Sequence, residues 1–354
     1  MKRPLALAAL ALVLLVSGCG TLAYYAQAVG GHLELMRLSV PIDEAVHEPK
    51  TPEALRERLE QVVAIRDFAS RELKLPDNGS FRRYADIGRP YVIWNVFATP
   101  EFSVKPVESC FPFAGCVAYR GYYSEDAARR YADDMAAQGY DVYSGGVPAY
   151  STLGYFDDPV LSTFIRYPDA ELARLIFHEL AHQVVYVRND TMFNESFAVS
   201  VEEEGVRRWL AAHGTPAQRA AYEAAAERRR QVFALVLEYR NRLDAFYRGS
   251  GAAEEKRAGK ARLFQQMRED YEALKRSWGG FSGYDRLFAR GPNNALLASI
   301  AAYTELVPAF HAMIVADGGD LERFYADVRK IADLPPGERR ARLGGPPISA
   351  DAAG

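Results

Sequence analysis

The chain has 354 residues, 49% of them apolar, with 43 Lys and Arg against 46 Asp and Glu and a formal net charge of −3. That apolar share is ample for a large core and excludes a disordered chain. The near balance of charge, with no basic aromatic stripe, excludes nucleic acid as a partner. No repeat or low-complexity tract divides the sequence, so its length fits one unit with two lobes.

Residues 1–18 read as a signal peptide. Lys2 and Arg3 form a charged start, and residues 5–16 are an apolar stretch too short to span a bilayer. Val16-Ser17-Gly18-Cys19 resembles the bacterial lipobox, which implies that Cys19 is lipidated and becomes the mature N-terminus. Gly20 in place of Asp implies retention at the outer membrane, facing the periplasm. The expectation is a lipid-anchored protein of the bacterial cell envelope. Residues 19–50 form a tether with an amphipathic piece carrying Tyr24, Tyr25, Leu33, Leu35, Met36 and Leu38. Lys and Arg are too sparse there for a membrane-surface helix, so packing on the body is expected.

A helix follows, with Thr51 as N-cap, Pro52 in the first turn and a buried face of Leu55, Leu59, Val62, Val63, Ala69 and Leu73. The period then changes. Residues 91–98 are a continuous aromatic and β-branched run that reads as a strand covered on both faces. Residues 117–123 make a second strand, Ser124 caps a helix through Ala137, and a third strand opens at Tyr140. In an oxidising compartment Cys110 and Cys116, six apart across Pro112 and Gly115, are expected to form a disulfide. Metal ligation by them is disfavoured, because the CxxC spacing is missing. Residues 149–155 are expected to be an edge strand able to pair with an extended peptide.

The most informative stretch is His178-Glu179-Leu180-Ala181-His182. Histidines four apart on a helix lie about 40° from each other around the axis, so both imidazoles leave one face. That spacing suits a tetrahedral zinc ion with Glu179 beside it as general base. Asp169 is a fitting N-cap and Glu171 falls in the first turn. Leu172, Ile176, Leu180, Val184 and Val187 mark an apolar face, so the helix belongs in a core. Asn194-Glu195 follows, with Asn194 the expected cap of a second helix running to about Ala212. There Glu195 shares a face with apolar residues, which is costly unless a cation meets it. Glu202, seven residues on, points along the same face. It can accept the free N–H of a ligand histidine, hold a substrate amine, or lie at a wet edge.

His178-Glu179-x-x-His182 followed by Asn194-Glu195-x-x-Ala198 resembles the gluzincin metallopeptidases. That resemblance implies Glu195 as third ligand, one zinc per chain, and an α+β zincin-like fold in which a small mixed sheet lobe precedes a mainly helical one. The short gap between the motifs, the lipoprotein start and Gly154-Tyr155-Phe156-Asp157-Asp158-Pro159 resemble a bacterial family of predicted aminopeptidases. Val199 stands where thermolysin-like enzymes carry an aspartate, so the surroundings of the ligands must differ.

Beyond Trp209 the chain reads as helical. Val232, Val236, Tyr239, Leu243 and Phe246, then Phe264, Met267, Tyr271, Leu274 and Trp278, step by threes and fours around Gly249-Ser250-Gly251. They predict a long antiparallel hairpin. Asn293 and Asn294 open a further helix through Ile314 that carries Tyr303. The expected division is a metallopeptidase domain over 51–334, with its sheet lobe at about 80–168, active-site helices at 169–212, the hairpin at 216–279 and C-terminal helices at 282–334. A loose tail at 335–354 follows.

The chemistry expected is hydrolysis of a peptide substrate, with Glu179 as base and Tyr303 as oxyanion donor. An amine-binding role for Asp157 or Asp158 would favour free amino termini. An endopeptidase of envelope proteins, or a non-catalytic zinc-containing lipoprotein, fits the same motif. The sequence leaves the substrate sequence and the oligomeric state open.

Overall fold

The computed structural model describes residues 22–111, 115–289 and 291–344. The leader, Cys19 and its expected lipidation, and the last ten residues lie outside the described residues.

The architecture is mixed α+β, mostly helical with small sheets. Helix α1 covers residues 22–38. Strand β1 (Val40–Pro41), helix α2 (Ile42–His47) and helix α3 (Glu53–Arg71) follow. Thr51 does not cap α3; its hydroxyl donates to the Ala45 carbonyl and Pro52 takes the cap position. The helix buries Leu59, Val62, Ile65, Phe68 and Ala69, while Val63 is left exposed one step around the axis.

Strand β1 pairs antiparallel with β2 (Arg83–Ala85), which pairs in parallel with β8 (Val160–Leu161). A second sheet has β3 (Ile93–Thr99) between β6 (Arg120–Tyr122) and β7 (Asp141–Val147), all antiparallel. Its alternating side chains explain the continuous apolar run. Trp94 and Val96 pack with Tyr122 against α4 (Glu125–Ala137), whose cap is Ser124. Phe97, on the opposite face, packs with Ala118 and Ala295. Strands β4 (Ser109–Phe111) and β5 (Gly115–Val117) form a small hairpin in which Cys110 and Cys116 are opposite partners and are disulfide-bonded.

Residues 149–155 are irregular, against the expectation of an edge strand. The Asp158 carboxylate accepts from the Thr152 amide and hydroxyl and from Ser151, and Leu153 and Gly154 take positive φ. Those local bonds curl the segment where a strand would need an extended backbone.

Helices α5 (Asp169–Ala181) and α6 (Thr191–His213) form the centre of the main core. Asp169 is the first helical residue, and its carboxylate meets Arg58 at 2.5 Å. Helix α5 stops before Val184, and Asp190 rather than Asn194 caps α6 by accepting from Phe193. Asn194 instead clasps the connection, its amide group bonding both the N–H and the C=O of Val187.

Helices α7 (Pro216–Arg248) and α8 (Ala253–Ser277) make the antiparallel hairpin, with Val232, Tyr239, Leu243, Phe264, Met267 and Tyr271 buried along its seam. After α9 (Asp285–Ala289), the expected helix through Ile314 is two helices. Helix α10 (Asn294–Thr304) ends near Leu306, whose N–H is taken by Ser196, and α11 (Val307–Ala316) restarts with a proline in its first turn. Helix α12 (Leu321–Ala332) completes the main core. The segment expected as a loose tail contains helix α13 (Pro336–Arg342), where buried Arg339 donates to Asp190 and to the carbonyls of Ala332 and Leu334.

Helix α6 packs tightly at Gly205, where a Cβ would lie 2.7 Å from the Phe177 ring of α5 and 2.8 Å from Leu73. Both neighbours are fully buried. The variant Gly205→Val should therefore lose about 1–3 kcal/mol of unfolding free energy in a denaturant titration. A midpoint unchanged from wild type would show that the two helices are not held this closely.

Candidate metal centre

Helix α5 turns His178 and His182 inward together, both about 8% exposed. Their Nε2 atoms are 3.2 Å apart. The first turns of α6 bring the Glu195 carboxylate to the same point, with Oε2 3.2 Å from His178 Nε2 and 3.5 Å from His182 Nε2. One ligand atom from each residue lies within 4.8 Å of the others, so this buried group can hold a metal ion.

The far side of His178 is also fixed. Its Nδ1 lies 2.8 Å from Glu202 Oε2, and Arg174 Nη1 is 3.2 Å from each Glu202 oxygen. Arg174 also donates from Nε to Glu171 at 2.7 Å. A row of alternating charge thus runs from Glu171 through Arg174 and Glu202 to His178. The Nδ1 proton is committed to Glu202, which leaves Nε2 to face the cluster. His182 Nδ1 is buried without such a partner among the described residues.

Electrostatics follow this layout. Burial pulls His178 down, but hydrogen bonds to Glu195 and Glu202 outweigh it and raise its pKa above the ordinary value. Burial pushes Glu195 up, but His182 and His178 hold it below the ordinary carboxylate value. Glu202 is likewise lowered, with Arg174 the main counterweight to burial. A cation bound there would take the place of a proton between His178 Nε2 and Glu195.

Glu179 lines the same cavity beside the two histidines. Burial raises its pKa and the two histidines only partly offset this. The hydroxyls of Tyr119 and Tyr303 are held well above their ordinary pKa by burial and by the nearby Glu195 charge, so both keep their protons. The Tyr303 ring lies nearly parallel to that of His178, at 6.4 Å between centroids. The cavity is about 270 Å³. The face of the β6-β3-β7 sheet forms one wall through Ile93 and Asn95, the 151–153 loop another, and α1 contributes Tyr24 and Ala28.

The structure therefore brings His178, Glu179, His182, Glu195 and Tyr303 to one cavity, with Glu202 behind His178. Asp157 is not brought there; it is exposed and packs over Gly79. Its neighbour Asp158 is the buried carboxyl, pushed up to about 7 by burial despite its bonds to Thr152 and Ser151. Sequence reasoning missed Arg174 and Tyr119. Arg174 had a legible signal, being one helical turn before His178 and so on the same face. Tyr119 had none, since 21 tyrosines compete for notice.

A family model described as "Putative aminopeptidase" matches residues 23–343. No curated protein and no solved structure matches the chain.

Stability of the metal-free protein should depend on pH in a definite sense. Glu195, lowered in the fold, contributes stability above its ordinary value of 4.5 and loses it as pH falls through the lowered value. His178, raised in the fold, contributes fully below 6.5 and loses that as pH rises through the raised value. Thermal melts of chelated protein should peak between about pH 4.5 and 6.5 and decline on both sides. A melting temperature that climbs steadily from pH 6.5 to 9 would contradict this charge arrangement.

Proposed function

The chain belongs to the family described as "Putative aminopeptidase", and from that premise we propose that it is a zinc-dependent peptidase removing residues from free amino termini. His178, His182 and Glu195 would hold one ion. The observation that carries this is the spacing of the three donors, 3.2, 3.2 and 3.5 Å. Atoms about 2.0–2.1 Å from a common tetrahedral centre lie about 3.3 Å apart. Two imidazoles and one carboxylate, with one position left over, are also the donor set of a catalytic rather than a closed structural site.

When bound, the ion supplies Lewis acidity, bringing the pKa of water towards ~7 and polarising a carbonyl. The side chains do the rest. Glu179 accepts a proton as water oxygen bonds to the scissile carbon, and delivers it to the amide nitrogen as the C–N bond breaks. Its raised pKa suits both halves of that transfer. Tyr303, with Tyr119 beside it, donates a hydrogen bond to the oxyanion that forms. Glu202, steadied by Arg174, keeps the His178 ring in one orientation. Helix α1 lines one side of the cavity with Tyr24 and Ala28, and a cleft that it closes at one end would admit a chain terminus and not a through-running chain.

The leader motif supports a place at the cell envelope, with Cys19 as the lipid anchor. Intact mass of the mature protein checks it; a chain starting before Cys19 would contradict it.

For the reaction, Glu179→Gln should retain stoichiometric zinc and lose roughly 10²–10⁴-fold in turnover of a free-amino peptide. His182→Ala should lose the zinc itself. The N-acetylated form of the same peptide should not be cut by wild type. Unchanged turnover in Glu179→Gln would place the base elsewhere, and equal cleavage of the acetylated peptide would overturn the exopeptidase assignment.

A further inference from the structure

Helix α1 is apolar on two opposite faces. Tyr24, Ala28, Gly31 and Leu35 repeat at helical spacing on the face turned to the body. Tyr24 and Ala28 line the cavity, Gly31 lies against the Tyr123 ring, and Leu35 is fully buried. Leu22, Ala26, Val29 and Leu33 repeat with the same spacing two positions earlier, about 200° around the axis. All four are exposed, with Leu22 at 72%, Val29 at 58% and Leu33 at 60%. On the flank of the helix, about 100° around the axis from Leu33, exposed Phe156 packs on the ring of His32 at 4.5 Å. Among the described residues Leu22, Val29, Leu33 and Phe156 are four of the ten large apolar side chains left exposed. A second apolar stripe opposite a buried one is not accounted for by packing among the described residues.

We propose that this outer face of α1, with Phe156, lies on the surface of a lipid bilayer. The inference rests on the reading of Cys19 as the anchor. The described helix begins three residues after Cys19, and three residues span at most about 11 Å. A helix starting that close to the bilayer, with an unpaired apolar stripe along its length, has the lipid surface as its nearest apolar environment. Arg37, exposed and one turn beyond Leu33 on the same stripe, meets a lipid phosphate at the polar end. The expected packing of this segment on the body is thus half of its role, and the sparse Lys and Arg that argue against independent surface binding are offset by the covalent lipid anchor. Since Tyr24 and Ala28 occupy the opposite face, the cavity sits about one helix diameter, ~10 Å, from the membrane.

The test uses the full chain reconstituted into vesicles of phosphatidylethanolamine and phosphatidylglycerol, with part of the lipid brominated as a quencher. A reporter is introduced as Leu33→Trp, with Val315→Trp, also at an exposed site, as control. Native Trp94 and Trp209 are buried, and Trp278 is hydrogen-bonded to Gln231. Both variants should float with the vesicles, and brominated lipid should cut the added emission of Leu33→Trp at least twofold while leaving that of Val315→Trp unchanged. Flotation without quenching of Leu33→Trp overturns the lipid contact and leaves the anchor standing. A concentration-dependent emission shift without quenching also overturns it, since a second copy would then cover the stripe. Failure to float overturns the anchor reading and this inference with it.

Discussion

Three carboxylates, Glu179, Glu195 and Glu202, and two imidazoles are buried together between α5 and α6, and that burial is tolerable only if protons or positive charge are supplied among them. An uncompensated buried charge costs several kcal/mol. The chain answers on one side with Arg174, which meets both oxygens of Glu202. On the other side only a shared proton or a metal ion can stand between His178, His182 and Glu195. Much of the surrounding structure keeps these groups in place. The Asn194 clasp on Val187 sets the turn between the helices, and the absence of a side chain at Gly205 lets α6 lie against Phe177. Ser196 takes the N–H of Leu306, which ends α10 just beyond Tyr303. One polar cluster thus dictates helix spacing, turn geometry and the position of the tyrosine.

The cavity in front of the cluster is made by parts distant in sequence. Sheet β6-β3-β7 buries one face on α4 and turns the other towards the His178, His182 and Glu195 cluster, so its alternation divides structural from site-facing residues. The 151–158 segment is held by Asp158 and contributes Ser151 and Leu153 to the wall. Helix α1 closes another side and is bound to that wall through the Tyr123 amide, accepted by Gln27, and through His32 and Tyr150, 2.5 Å apart. A residue on α1 therefore acts on the cavity although it precedes the histidines by some 150 positions.

What was legible in the sequence was whatever depends on helical periodicity. The 178/182 pair, the inward Glu195 and the hairpin seam follow from residues three and four apart sharing a face, and the structure places all of them so. The disulfide partners were legible from their spacing and from the oxidising compartment that the leader motif led one to expect. What was illegible depends on a single competing hydrogen bond or a distant partner. Asn194 looked like a cap but is committed to Val187, and Asp190 takes its place. Residues 149–155 looked extended, yet Asp158 gathers their polar groups. The 336–342 helix is held by Arg339 reaching Asp190, a contact across about 150 positions that no local pattern announces. Asp157 and Asp158 could not be told apart by sequence, and the buried one is Asp158.

The central claim is that the three convergent donors hold zinc. X-ray absorption at the zinc edge of the purified protein tests it most directly, because it reads both the element and its ligands. The account predicts one zinc per chain with only nitrogen and oxygen neighbours at about 2.0–2.2 Å, including two imidazoles. A spectrum with sulfur ligands, or protein that cannot be loaded with zinc to one equivalent, would contradict it.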